Sequence, residues 1–135
     1  MTLISRMLDT YPKDRPAIDG ALLAECIQAC LDCSAVCAAC ADACLAEDMV
    51  ADLVECISTD LQCADICATT ARVLSRSTGF DADIVRALVE ACRVACAKCA
   101  DDCEQHADMH EHCAVCAEAC RRCESACAAV LAALA

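Results

Sequence analysis

Apolar positions along the chain recur with a helical beat, and on most of those beats stands a cysteine. From Leu22 the stripe runs through Cys26, Cys30, Cys33, Cys37, Cys40 and Cys44, stepping by fours and threes as an a/d heptad seam does. A second stripe reads Met49, Leu53, Cys56, Asp60, Cys63, Cys67, Thr70 and Leu74. A third reads Val85, Leu88, Cys92, Cys96, Cys99 and Cys103, then His106 and His110, and a fourth Met109, Cys113, Cys116, Cys120, Cys123, Cys127, Val130 and Leu134. All 18 cysteines fall on one of these stripes.

The phase of the stripes marks where helices end. It slips between Cys44 and Met49, and again in "HADMHEH" (residues 106–112), so a break is expected at each place. Between the second and third stripes, "SRSTGFDAD" offers Gly79 as a C-cap and Ser77 or Asp81 as an N-cap. Ahead of the first stripe, "TLISRML" predicts a short extra helix cut off by "YPKDRP". Four long helices with apolar stripes and short connections predict an all-α fold: an antiparallel up-down-up-down four-helix bundle with a short extra N-terminal helix, forming one domain over residues 1–135.

Composition narrows the function classes. Two Gly and two Pro in 135 residues leave β architectures without their turns. A formal net charge of -12, with one Phe, one Tyr and no Trp, repels phosphate backbones and provides no stacking platforms, which argues against nucleic-acid binding. The start, "MTLISRMLDTYPKD", lacks the apolar run and small-residue cleavage site of a secretory signal. No segment holds ~18 uninterrupted apolar residues, so no membrane span is expected. Together these predict a cytoplasmic, thiol-reducing location.

That many cysteines in a short chain usually signals a disulfide scaffold. Helical geometry argues otherwise, because Cβ atoms at i and i+4 lie ~5–6 Å apart while a disulfide needs ~3.5–4.5 Å. Plain packing is no better an account, since a core of cysteine buries less apolar surface than one of leucine. Metal coordination offsets that loss, because thiolate ligands gathered only in the folded state stabilise the fold directly.

Soft sulfur donors select Cu(I), Zn(II) or iron–sulfur clusters. Structural zinc and iron–sulfur centres gather four ligands around one compact point, whereas these cysteines line whole helices. Cys26/Cys30, Cys33/Cys37, Cys40/Cys44, Cys63/Cys67, Cys92/Cys96, Cys99/Cys103, Cys116/Cys120 and Cys123/Cys127 make eight CxxxC pairs. Such a pair suits one ion of low coordination number, which favours Cu(I). Two thiolates per isolated ion would leave net negative charge in the core; bridging sulfurs, at about one Cu(I) per cysteine, neutralise it.

A chain with four cysteine-lined helices and repeated CxxxC motifs resembles the bacterial copper storage proteins, in particular their cytosolic branch. The resemblance covers essentially the whole chain. It implies a four-helix bundle that stores many Cu(I) ions on core thiolates, usually assembled as a homotetramer; separately, no nucleophile with a dedicated base stands in the sequence, so no enzymatic activity is expected.

In an up-down-up-down bundle Met49, His106, Met109 and His110 meet at one end, while Leu22, Leu74, Phe80, Val85, Leu88, Val130 and Leu134 meet at the other. The first set reads as a copper entrance, with His106, Met109 and His110 as donors beside the eighteen cysteines, and the second as a hydrophobic stopper. His112, off the stripe, reads as a solvated loop residue. Asp60, in a cysteine position, has three readings: a ligand in a mixed site, a hydrogen-bond acceptor for thiols, or a carboxylate facing a solvated mouth. Two other functions stay open: a Zn(II) or Cd(II) sink, and a dithiol redox protein, against which stands the lack of a CxxC at a helix N-terminus. A copper chaperone or small thiol is the partner that such a store would need.

Overall fold

The computed structural model describes residues 2–16 and 18–135. Among these residues five α-helices carry the fold: α1 (Leu3–Asp9), α2 (Gly20–Leu45), α3 (Val54–Leu74), α4 (Ala82–Glu104) and α5 (Glu111–Leu134), with a 3₁₀ turn, Val50–Leu53, leading into α3. No strand occurs among the described residues. α2 packs against α3 and α5, and α4 packs against the same two, so the four long helices stand at the corners of a square in chain order. The all-α bundle with a short N-terminal helix is as the periodicity predicts.

Local chemistry sets the helix starts. Asp19 Oδ1 accepts from the Ala21 and Leu22 amides at 2.8 and 3.2 Å, and Asp81 Oδ1 from the Asp83 and Ile84 amides at 2.9 and 3.2 Å. Asp81, not Ser77, is thus the cap of α4. Gly79 is not the C-cap of α3: that helix ends at Leu74 with Ser75 as its cap, and Gly79 lies within the connection with φ +70°, a left-handed conformation that glycine adopts without strain.

Within the helices, the buried faces depart from the stripes at two places. Leu22 is exposed and Leu23 buried, and Val89 is fully buried where Leu88 was expected. An unbroken alternation of threes and fours, counted back from Cys26 and Cys92, selects Leu23, Val89 and Val85. Burial at the start of α2 also widens to Ala24 and Ile27, near where α1 packs.

Residues Leu74, Val85 and Val130 close one end as expected, with Phe80 and Leu134 partly buried beside them. Tyr11 Oη, just after α1, lies 2.8 Å from Thr78 Oγ1 in the α3–α4 connection and ties the N-terminal segment across that end.

Ion pairs fasten the outside. Arg122 on α5 reaches Glu25 and Asp32 on α2 at 2.9 and 2.7 Å, and Arg121 bridges Asp101 and Glu104 on α4, both at 2.7 Å. α2 is long and apolar enough to cross a membrane, with a mean hydropathy of 1.5 in its most apolar window. Its cysteines, however, face the bundle, and its Glu25 and Asp32 face Arg122. A groove of about 800 Å³ between α3 and α4 is lined by no cysteine, so the interior chemistry is in the packed core.

Candidate metal centre

All eighteen cysteines are buried and carry free thiols. Seam positions a and d of a helix point at the bundle axis, and with sulfur at most of them the axis becomes a column of thiols. Contacts between corner neighbours include Cys30–Cys123 at 3.6 Å, Cys33–Cys120 at 3.7 Å, Cys63–Cys96 at 3.8 Å and Cys56–Cys103 at 3.7 Å. Sulfurs also meet across the diagonals, Cys30–Cys92 at 3.8 Å and Cys37–Cys99 and Cys67–Cys123 at 3.9 Å. These separations are far beyond a ~2.05 Å disulfide bond, yet short enough for one ion to touch several sulfurs.

Within-helix CxxxC contacts are the lesser part of this network. Cys33–Cys37 at 3.7 Å and Cys63–Cys67 at 3.8 Å are in contact, but the groups able to surround an ion draw on several helices. Cys30, Cys92, Cys123 and Cys127 form one such group, with ligand atoms within 4.8 Å of one another; Cys33, Cys63, Cys67 and Cys96 form a second, and Cys37, Cys99, Cys116 and Cys120 a third. A further group, Cys33, Cys37, Cys63 and Cys120, takes its sulfurs from the second and third. Sulfurs shared between overlapping groups are what bridging thiolates require.

Asp60, fully buried, settles into one of its three readings. Its Oδ1 accepts from the Cys99 thiol at 3.0 Å and from those of Cys103 and Cys116 at 3.4 Å. Burial pushes its pKa up to about 7, against the pull of the Cys99 hydrogen bond. Burial likewise drives the Cys113 thiol up to about 12 and raises that of Cys44, so the Cys113 thiol is protonated at neutral pH in the absence of metal.

The end opposite the stopper holds the three histidines. His110 is 8% exposed, its Nδ1 lies 2.7 Å from Glu47 Oε2, and its Nε2 is buried without a partner. His106 is half-buried, with its Nδ1 likewise buried and unpartnered. Met109 is 61% and Met49 42% exposed, so these thioethers meet solvent rather than the sulfur column.

His112 departs from its expected place as a solvated loop residue. Its Nδ1 lies 3.5 Å from Cys40 Sγ and 3.6 Å from Cys113 Sγ, and it joins Cys40, Cys44 and Cys113 in an ion-sized group. The first turn of α5 swings its ring towards α2, and its adjacency to Cys113 was the one available sequence signal. Glu47, which contacts both His110 and His112, carried no signal at all.

The family model described as "Copper storage protein" matches residues 20–132. The chain belongs to the copper storage protein family. No curated protein sequence matches it. Among solved structures of the family, that of the copper storage protein Ccsp from Streptomyces lividans loaded with 10 copper equivalents is 56% identical, covers 96% of this chain and 98% of its own, and superposes with a TM-score of 0.94. A second structure, of copper loading to a cytosolic copper storage protein from Streptomyces lividans with five coppers, is 59% identical, covers 83% of this chain and 93% of its own, and gives a TM-score of 0.82. A third, a histidine-to-alanine mutant of Streptomyces lividans Ccsp, is 56% identical over 89% of this chain and 100% of its own, with a TM-score of 0.88.

Proposed function

We propose that this chain is a cytosolic, non-enzymatic store that holds many Cu(I) ions, about one per cysteine, on the thiolates of its bundle core. The observation that carries the reading is the sharing of buried, unoxidised sulfurs among overlapping four-thiol groups along the axis. Separate tetrahedral zinc sites would each claim four ligands of their own; a column of shared sulfurs lets each thiolate serve two Cu(I) ions. The chain's likeness to structures loaded with ten and with five coppers supports the same cargo.

The ligands are Cys26, Cys30, Cys33, Cys37, Cys40, Cys44, Cys56, Cys63, Cys67, Cys92, Cys96, Cys99, Cys103, Cys113, Cys116, Cys120, Cys123 and Cys127, with His112 completing the outermost group. Ions enter at the histidine end, where His106 and His110 present buried unpartnered nitrogens, and exposed Met109 takes part only with ions still arriving from solvent. From there copper passes inward by exchange between thiolates 3.6 to 4.0 Å apart. A chaperone or small thiol delivers it, and the assembly is a homotetramer.

Anaerobic titration of the fully reduced chain with Cu(I), against a strong competing chelator, tests this. Loading is expected to end near 18 ions per chain, one per cysteine. Saturation at eight or fewer, or displacement of Cu(I) by equimolar zinc, would sink the reading.

A further inference from the structure

Glu47 lies in the turn after α2, and its Oε2 reaches across the histidine end to two rings at once. His110 Nδ1 is 2.7 Å away and His112 Nε2 3.0 Å away, and the two rings stack with centroids 5.5 Å apart and planes 17° from parallel. A carboxylate, the ordinary form of glutamate at neutral pH, only accepts hydrogen bonds. Each ring must therefore turn a proton-bearing nitrogen towards it. A neutral imidazole has one such nitrogen, and the other keeps its lone pair.

The consequence differs for the two rings because opposite nitrogens face the carboxylate. His110 is fixed as the Nδ1–H tautomer, leaving the lone pair on the Nε2 that is buried and unpartnered. His112 is fixed as the Nε2–H tautomer, leaving the lone pair on the Nδ1 that faces the Cys40 and Cys113 sulfurs. We infer that Glu47 is a positioning residue for copper capture: one carboxylate oxygen locks His110 and His112 in opposite tautomers, so that each presents an unprotonated inner nitrogen to an incoming ion. Glu47 is no ligand itself. It acts as carboxylates beside metal-binding histidines do, orienting the ring and raising its basicity, and here it serves two rings and pins the α2 turn to the start of α5.

This assignment rests on the storage reading for its purpose but not for its test. With only three histidines in the chain, two-bond proton–nitrogen correlation spectra of the full-length, reduced, metal-free protein resolve every imidazole. At about pH 8, above the ordinary imidazole range, His110 is expected to show a protonated Nδ1 and bare Nε2, and His112 the reverse. Glu47→Ala is expected to abolish this opposition and to slow uptake of the first equivalents from a Cu(I)–chelator donor about 10-fold. Glu47→Gln, whose amide oxygen still accepts from both rings, is expected to restore the tautomers and most of the rate.

Native spectra with both rings in one tautomer, or unchanged histidine signals in Glu47→Ala, would overturn the assignment. The native spectrum decides even where the alanine variant fails to fold. A chain that binds no copper would sink the storage reading and leave the tautomers standing.

Discussion

Asp60 occupies the one stripe position of α3 where a thiol would complete a CxxxC pair with Cys56, and it places a carboxyl in the core. Its carboxyl is fully buried among thiols that donate to it. Burial raises its pKa from 3.8 to about 7. Between those values the folded chain holds a proton that the unfolded chain has released, so stability contributed by the neutral acid is full below about pH 4 and is lost as pH climbs through 7. From about pH 5 to 8 that loss amounts to roughly 3 kcal/mol. Urea denaturation of the reduced, metal-free chain is expected to show it, and Asp60→Asn, which keeps the shape and cannot ionise, to lack it. An equal loss in both proteins would show that Asp60 is not the group responsible. The stripe made Asp60 conspicuous in the sequence, but choosing among its three readings needed the distances to Cys99, Cys103 and Cys116, which belong to two other helices.

Helices were the most legible feature, because a period written in cysteine has none of the ambiguity of a mixed apolar stripe. Both phase slips mark real breaks, at Ala46–Met49 and at Gln105–His110. The period is least informative at the helix ends, where a repeated step of four points to Leu22 and Leu88 instead of the buried Leu23 and Val89, and where Gly79 lies beyond a helix that stops at Leu74. The α4–α5 turn shows what the period cannot reach: Met109 and His112 are both near the stripes, but the turn aims the methionine outwards and the second imidazole inwards. The same geometry places His106 and His110 at the mouth of the sulfur column, with buried unpartnered nitrogens. Their replacement by leucine, together with Met109→Leu, is expected to slow loading about tenfold in stopped-flow transfer from a Cu(I) donor. Most of that effect is expected to survive when Met109 is left native, since its side chain is exposed. Native-like kinetics in the double histidine variant would move the entrance elsewhere.

Across the whole molecule, charge decides how the column fills. All eighteen cysteines are buried free thiols, and the rise of Cys113 to about 12 shows how strongly burial at the outer end resists a lone thiolate. An arriving Cu(I) can displace a proton, and the cation and thiolate then neutralise each other; an ion that takes two thiolates for itself leaves one negative charge uncompensated in the core, at a cost of several kcal/mol. Overlapping groups such as Cys33, Cys37, Cys63 and Cys120 let the second ion relieve the charge left by the first. Proton release is therefore expected to begin above one per ion and to fall to a cumulative ratio of one at the end of loading, measurable with a pH indicator in weakly buffered solution. Because the protons come from buried thiols, loading strengthens as pH rises and weakens as it falls. A cumulative ratio that stays at two, with uptake ending at half the cysteine count, would mean isolated two-thiolate sites and a charged interior, and bridging along the axis would have to be abandoned.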